Sequence, residues 1–396
     1  MFSPTLCSGI EMASKSKKKN SIKRVVGLFA GIGGLELGFS RSGYRTEVLC
    51  EIDPGAQQVL RVQFPGVDLI DDVRAIDTLG NCDVLCAGFP CQDLSSSGQK
   101  IGINGHRSSL VDEVFRILTT SEAEWVVLEN VRFMLHLNGG EAMARIADGF
   151  EKLGYNWAYR VINSQAFGLP QRRHRVYFVA SKHGDPRSVL LSGDSKERQE
   201  RNLEMSVSDH IGFYWTEGTY AMGLSRNAIP PLKAGSTIGI PSPPAIFFPD
   251  GLVGTPEIRD AERLQGFEAD WTKPAEEVVK ASARWRLLGN SVTVPVSEWL
   301  ATKLQNPEPY DANNDLPLKG KWPSAAWSVN GKRFEASASD WPVATRFVGI
   351  GEFLEHDAKP LSLRAVTGFL NRAYKGNLNF PPGFLEALNK FSLTAI

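Results

Sequence analysis

Between Arg24 and Ala180 the chain alternates short apolar runs with amphipathic stretches, and nothing else in the sequence constrains its fold as tightly. Val25–Phe29, Glu47–Cys50, Asp83–Ala87, Trp125–Leu128 and Val176–Ala180 are short, largely apolar and β-prone, so they read as buried strands. Between them, Leu35–Ser42, Gly55–Phe64, Ser109–Thr120 and Gly140–Leu153 space their apolar residues at helical intervals. Strand–helix alternation of this kind predicts an α/β fold with a mostly parallel sheet and helices on both faces. Ligands in such sheets bind at the carboxyl ends of the strands. The chemically distinctive residues of this chain fall at those ends.

After Ser181 the character changes. Residues 182–255 are polar, hold Pro230, Pro231, Pro241, Pro243 and Pro244, and show no strand–helix period, which predicts a separate, smaller, loop-rich domain. The expected division is a disordered basic tail (1–20), an α/β domain (21–181), a second domain (182–282), a return to the first (283–304) and an extension (305–396). In the extension, one helix is expected behind a Ser362 cap, packed through Ala365, Phe369 and Ala373, and another after Pro382-Gly383. It is expected to form a small helical add-on against the α/β domain.

Lys plus Arg (44) balance Asp plus Glu (44), so any affinity for a polyanion must come from a local patch. The five cysteines (7, 50, 82, 86 and 91) show no paired spacing and no nearby histidine. Neither zinc nor disulfides are therefore expected, and a reducing cytoplasm fits. No apolar run approaches a membrane span, and no signal-peptide pattern opens the chain.

Phe29-Ala30-Gly31-Ile32-Gly33-Gly34 follows the first strand and opens a helix, where glycines let backbone amides approach a ligand. The dinucleotide fingerprint would put a third glycine where this chain has Glu36, which argues against a nicotinamide cofactor. Glu51 ends the next strand, where a carboxylate can accept two ribose hydroxyls; Asp72 could accept an amino proton from adenine. Cys50, Cys82 and Cys86 sit within apolar runs and read as core thiols. Cys91 differs: it lies past its strand, behind the rigid Pro90 and before the polar loop from Asp93 to Gln99. Glu129 ends the following strand and would stand beside Cys91 if the two strands are neighbours, as a candidate proton donor. In Gln171-Arg172-Arg173-His174-Arg175, alternation puts Arg173 and Arg175 on one face and Arg172 and His174 on the other. Two arginines entering a buried strand call for an anionic or carbonyl-rich partner. Late in the chain, Leu264 and Phe267 read as packing residues, and Asn290 and Ser291 as a turn able to close over a ligand.

Taken in this order, FAGIGG, EIDP, GFPCQ, ENV, QRRHR, RLQGF and GNSV resemble the C5-cytosine DNA methyltransferase family of bacterial restriction–modification systems, over about residues 24–304. The resemblance implies a Rossmann-like methyltransferase fold and S-adenosyl-L-methionine as methyl donor, with no metal. Phe29, Gly31, Gly34, Glu51, Asp72, Val73 and Pro90 would hold the donor, closed over by Asn290 and Val292. Cys91 would be the nucleophile toward a flipped cytosine, Glu129 would meet its N3 and N4, and Arg173 and Arg175 would hold the base. Residues 182–282 would be the target-recognition domain. Ser95 and Ser97 of the catalytic loop and Thr237 of that domain would meet double-stranded DNA, joined on charge alone by Arg226 and Lys233. A monomer in a bacterial cytoplasm, nucleoid-associated and paired with a cognate restriction endonuclease, is the implied setting. The alternatives are a transfer-RNA cytosine-5 methyltransferase, which usually carries Pro-Pro-Cys-Gln where this chain has Phe89-Pro90-Cys91-Gln92, and a catalytically silent DNA-binding regulator.

Overall fold

The computed structural model describes residues 23–90, 110–195, 204–235 and 243–394. The expected basic tail, Cys91, Ser95, Ser97 and Thr237 lie outside them. Strands β1 (Arg24–Leu28), β2 (Arg45–Cys50), β3 (Asp68–Ile70), β4 (Asn81–Ala87) and β5 (Glu122–Val131) pair in parallel. Next come β6 (Asn156–Asn163) and β7 (His174–Ser181), with β7 antiparallel between β5 and β6. The five strands and four helices expected from the sequence all form, their ends displaced by no more than three residues.

Side-chain alternation along each strand sends one residue to each face of the sheet. Val25, Val84 and Val127 pack under Leu35 and Phe39 of helix Gly34–Arg41 and under Val296 and Leu300 of helix Val294–Gln305. Their neighbours Val26, Leu85 and Val126 pack on the other face, against helices Leu110–Thr120 and Glu141–Lys152. Both faces are thus covered, as a parallel sheet requires.

A second sheet collects β8 (Ile211–Phe213), β9 (Ser225–Arg226), β10 (Ala245–Phe247) and β11 (Val253–Thr255). The extension then adds β12 (Leu316–Pro317), β13 (Ala325–Val329), β14 (Lys332–Glu335) and β15 (Lys359–Pro360). The large sheet runs β12-β14-β13-β6-β7-β5-β4-β1-β2-β3, and the small one β15-β11-β10-β8-β9.

Here the structure corrects the expectation of a helical add-on to the α/β domain. Residues 316–335 lengthen the large sheet, with β13 covering the edge of β6 through Ala326 opposite Tyr159 and Trp327 opposite Ala158. Both expected helices form, Leu363–Ala373 behind a Ser362 cap and Phe384–Thr394. They pack on the small sheet instead, where Phe369 and Phe384 meet Phe213 at 5.0 and 5.4 Å between ring centroids. The physical reason is area: strands of two or three residues cannot bury their own apolar face, so helices from elsewhere must cover it.

One carboxyl is buried beneath β1. Glu36 is 1% exposed, and neither of its oxygens is hydrogen-bonded to another described residue. Gly27 makes the room, since a Cβ there would stand 2.0 Å from Glu36 Oε1. Burial pushes this carboxyl up to about 7, and the charge of Glu51 adds to the rise. The folded form therefore holds a proton that the unfolded chain releases, so stability present at low pH is lost as pH rises from about 4.5 to about 7. Glu36→Gln should remove that slope and stabilise the protein above pH 7 by on the order of 3 kcal/mol. Denaturant titrations at pH 5 and pH 8 check this, and equal gains at both would contradict it.

Candidate active site

The carboxyl ends of β1, β2, β4 and β5 meet on one edge of the large sheet. At β1 the chain turns sharply, with positive φ at Phe29 (53°), Gly31 (56°) and Gly33 (81°), and enters helix Gly34–Arg41. The Glu51 carboxylate braces this turn, accepting from the Gly31 amide at 2.7 Å and from the Asp53 amide at 2.8 Å. Burial raises its pKa, which those amides oppose. Gly34 lies under Val292: a Cβ at Gly34 would stand 2.8 Å from Val292 Cγ2, so Val292 of the late GNSV segment packs against the early glycine loop. Ile52, beside Glu51, is 67% exposed on this edge. Sequence reasoning passed over it; an apolar residue directly after the strand-end carboxylate was the available signal. This edge fits an adenosyl group: a carboxylate for hydroxyls, amides for polar atoms and an exposed aliphatic side chain for a flat ring.

The remaining residues expected there fall out as follows. Asp72 caps the short turn Val73–Ala75 and pairs with Arg74 at 2.6 Å, in a partly exposed position. The Val73 side chain is buried in the core below. Asn290 ends helix Ala283–Asn290 and is exposed, and so is Pro90.

β4 and β5 are neighbours, with Ala87 opposite Leu128, so Glu129 stands next to Gly88. Its Oε2 would lie 3.7 Å from a Cβ at Gly88, and its Oε1 is 3.1 Å from Arg175 Nε. Burial raises the Glu129 pKa, while Arg175 and then Arg173 pull it back. Asn130 donates from Nδ2 to the Phe89 carbonyl at 2.9 Å, tying the segment after β4 to the end of β5. The described thiols, Cys50, Cys82 and Cys86, are buried and free; burial pushes Cys82 up to about 11 and Cys50 up to about 12, and raises Cys86 as well. Their surroundings suit core residues and not nucleophiles.

Arg173 lies buried among backbone carbonyls. It is 1% exposed and donates to three carbonyls, those of Leu232 (3.0 Å), Gly289 (3.2 Å) and Ser291 (2.5 Å). Burial, with Arg175 nearby, lowers its pKa to about 9. Beside it lies a polar seam that the sequence did not disclose. Gln171 donates to the Leu264 carbonyl and accepts from the Leu232 amide, both at 2.9 Å. Gln265 donates to the Leu288 carbonyl at 3.1 Å and accepts from Thr293, which also bonds Ser164. The glutamines of QRRHR and RLQGF thus fasten three distant segments together. Arg226 and Lys233, expected to meet DNA, are engaged within the small domain: Arg226 pairs with Asp209 at 2.9 Å, and Lys233 with Glu217 above the Tyr214 ring.

A mostly parallel sheet carrying a glycine loop and an acidic strand end defines a Rossmann-like fold. The crystal structure of the S. pombe Dnmt2 methyltransferase superposes with a TM-score of 0.52 at 16% identity, over 72% of this chain and 98% of that one. A type II methyltransferase of Bacillus subtilis (strain 168), M2.BsuMI, is 47% identical over 93% of this chain and 97% of its own length. Another, M.HaeII of Haemophilus aegyptius, is 37% identical over 72% and 93% respectively. The model of the C-5 cytosine-specific DNA methylase family matches residues 23–223. The chain belongs to that family, whose reaction is methyl transfer from S-adenosyl-L-methionine to carbon 5 of cytosine in DNA.

Arg173→Met should leave three buried carbonyls unpaired, at about 1–3 kcal/mol each. Chemical denaturation should show a loss of several kcal/mol, with Arg173→Lys recovering only part, because lysine lacks the planar fork. A Met variant as stable as the parent would remove the bracing role.

Proposed function

We propose that the chain modifies a cytosine flipped out of duplex DNA, with Cys91 as nucleophile and Glu129 as proton donor, in a type II restriction–modification setting like that of the relatives named above. The observation that carries this is the position of Glu129: buried, raised in pKa, beside Gly88, which precedes Cys91 by three residues in the sequence, and held by Arg175. Cytosine C5 is a poor nucleophile by itself. The Cys91 thiolate forms a bond to C6 while Glu129 donates to N3, which moves electron density onto C5. When bound, S-adenosyl-L-methionine would supply an electrophilic methyl on a sulfonium for C5, the methyl–sulfur bond breaking as the methyl–C5 bond forms. Loss of the C5 proton to a base and departure of the Cys91 sulfur from C6 restore the aromatic ring. Extrusion of the base costs a few kcal/mol, offset by contacts to the DNA backbone. Arg175 holds the Glu129 carboxyl in place, and Arg173 acts one layer deeper as a positioning residue.

Methyl transfer from labelled donor to duplex DNA, with RNA as control, tests the substrate class. Transfer to RNA alone would favour the transfer-RNA reading, and transfer to neither would favour the silent regulator. An oligonucleotide with 5-fluorocytosine at the target should trap a donor-dependent covalent adduct, absent in Cys91→Ala. Glu129→Gln should lower kcat by roughly 10²–10⁴, the usual worth of a positioned acid. An adduct persisting in Cys91→Ala would sink the assignment.

A further inference from the structure

A cleft of about 830 Å³ continues the active edge beyond β7, away from the adenosyl side. One wall is the active edge itself: Arg132, three residues past Glu129, with Arg172 and His174, which alternate along the chain with Arg173 and Arg175. The other wall comes from the extension, through Ser324, Ala338, Ser339 and Asp340. This wall lies outside the stretch 23–223 that matches the family model. Its place is set by backbone bonds at the active edge. The Val161 amide donates to the Ser324 carbonyl at 2.7 Å, and the Asn163 amide donates to that of Asp340 at 3.0 Å.

The chemistry of the cleft is anion-seeking. Six of its nine lining residues are polar or charged, unlike the mostly apolar lining of a small-molecule pocket. Its one acid, Asp340, is engaged by His174 at 2.8 Å. Arg132 is exposed and, among the described residues, enters no ion pair or side-chain hydrogen bond. An arginine held at the rim of an active edge without a carboxylate partner is suited to phosphate.

We propose that this cleft seats the sugar–phosphate backbone next to the flipped cytosine, with Arg132 as its principal cation and the extension as its outer wall. The C-terminal extension is then part of the DNA interface and does more than complete the fold. The proposal rests on the reading of duplex DNA as substrate. It assigns a positioning contact, since phosphate contacts fix register without reading sequence.

The test uses the full chain and a duplex that the parent protein is shown to methylate. Ser324 is exposed on the extension wall, and its side chain forms no hydrogen bond among the described residues. Ser324→Lys should tighten binding of that duplex and steepen the dependence of log Kd on log salt by about one. Ser324→Glu should weaken binding about tenfold at low salt, an effect that shrinks as salt rises. Arg132→Gln should lower the salt slope by about one, uniformly across DNA sequences. Affinity for S-adenosyl-L-methionine, which binds the far side of the edge, should hold in all three. A gain in Ser324→Lys cannot come from misfolding. If both Ser324 variants and Arg132→Gln keep the parent's affinity and salt slope while the parent methylates DNA, this proposal falls and the reading of the active site stands. A parent that neither binds nor methylates any duplex overturns the reading of the active site itself, and this proposal with it.

Discussion

The guanidinium of Arg173 is the point on which the geometry of the molecule turns. Its three carbonyl partners come from the small domain (Leu232) and from the returning segment (Gly289 and Ser291), while its own backbone leads into β7 of the large sheet. Nη1 and Nη2 of this buried guanidinium are met by those carbonyls while Nε meets no partner among the described residues, so drifting apart would leave the charge still less compensated. Gln171, Gln265 and Thr293 extend the same logic with neutral amides and a hydroxyl. The glycine loop, the Glu129 carboxyl and the entry to the small domain hold their relative places because this seam ties their segments together.

Three carboxyls near the active edge show how environment divides one chemistry into several roles. Glu51 meets backbone amides and props a turn. Glu129 meets a guanidinium, which opposes the effect of its burial. Glu36 meets neither and is accommodated only because Gly27 lacks a side chain. Desolvation raises all three, and the partner decides what remains of the rise. Burial acts in the same direction on the described thiols, which the core holds in their neutral form.

The α/β core was legible because its strands are apolar runs and its helices carry a clear period. β6 escaped for a local reason: Asn156, Arg160 and Asn163 break its apolar run. Arg160 lies fully buried only because the Leu190, Gly193 and Ser339 carbonyls and Asp194, all distant in sequence, receive its donors. The extension was half legible. Its two helices follow from a serine cap and an apolar period, but neither feature names the surface that receives them. The chain of contacts from Asp340 to His356 carries the extension past Ala166, Gly168, Asn227 and Asp260, and so from the large sheet to the small one.

The sequence alone determined the class of fold and the acidic and glycine-rich strand ends, because each is a local pattern set by side-chain period or by residue type at a strand end. Only the tertiary structure decided that Arg173 braces carbonyls, that Arg226 and Lys233 pair within their own domain, and that the extension divides between two sheets. Those outcomes depend on which distant group meets a buried charge or an uncovered apolar face. Spacing along the chain holds no information about that.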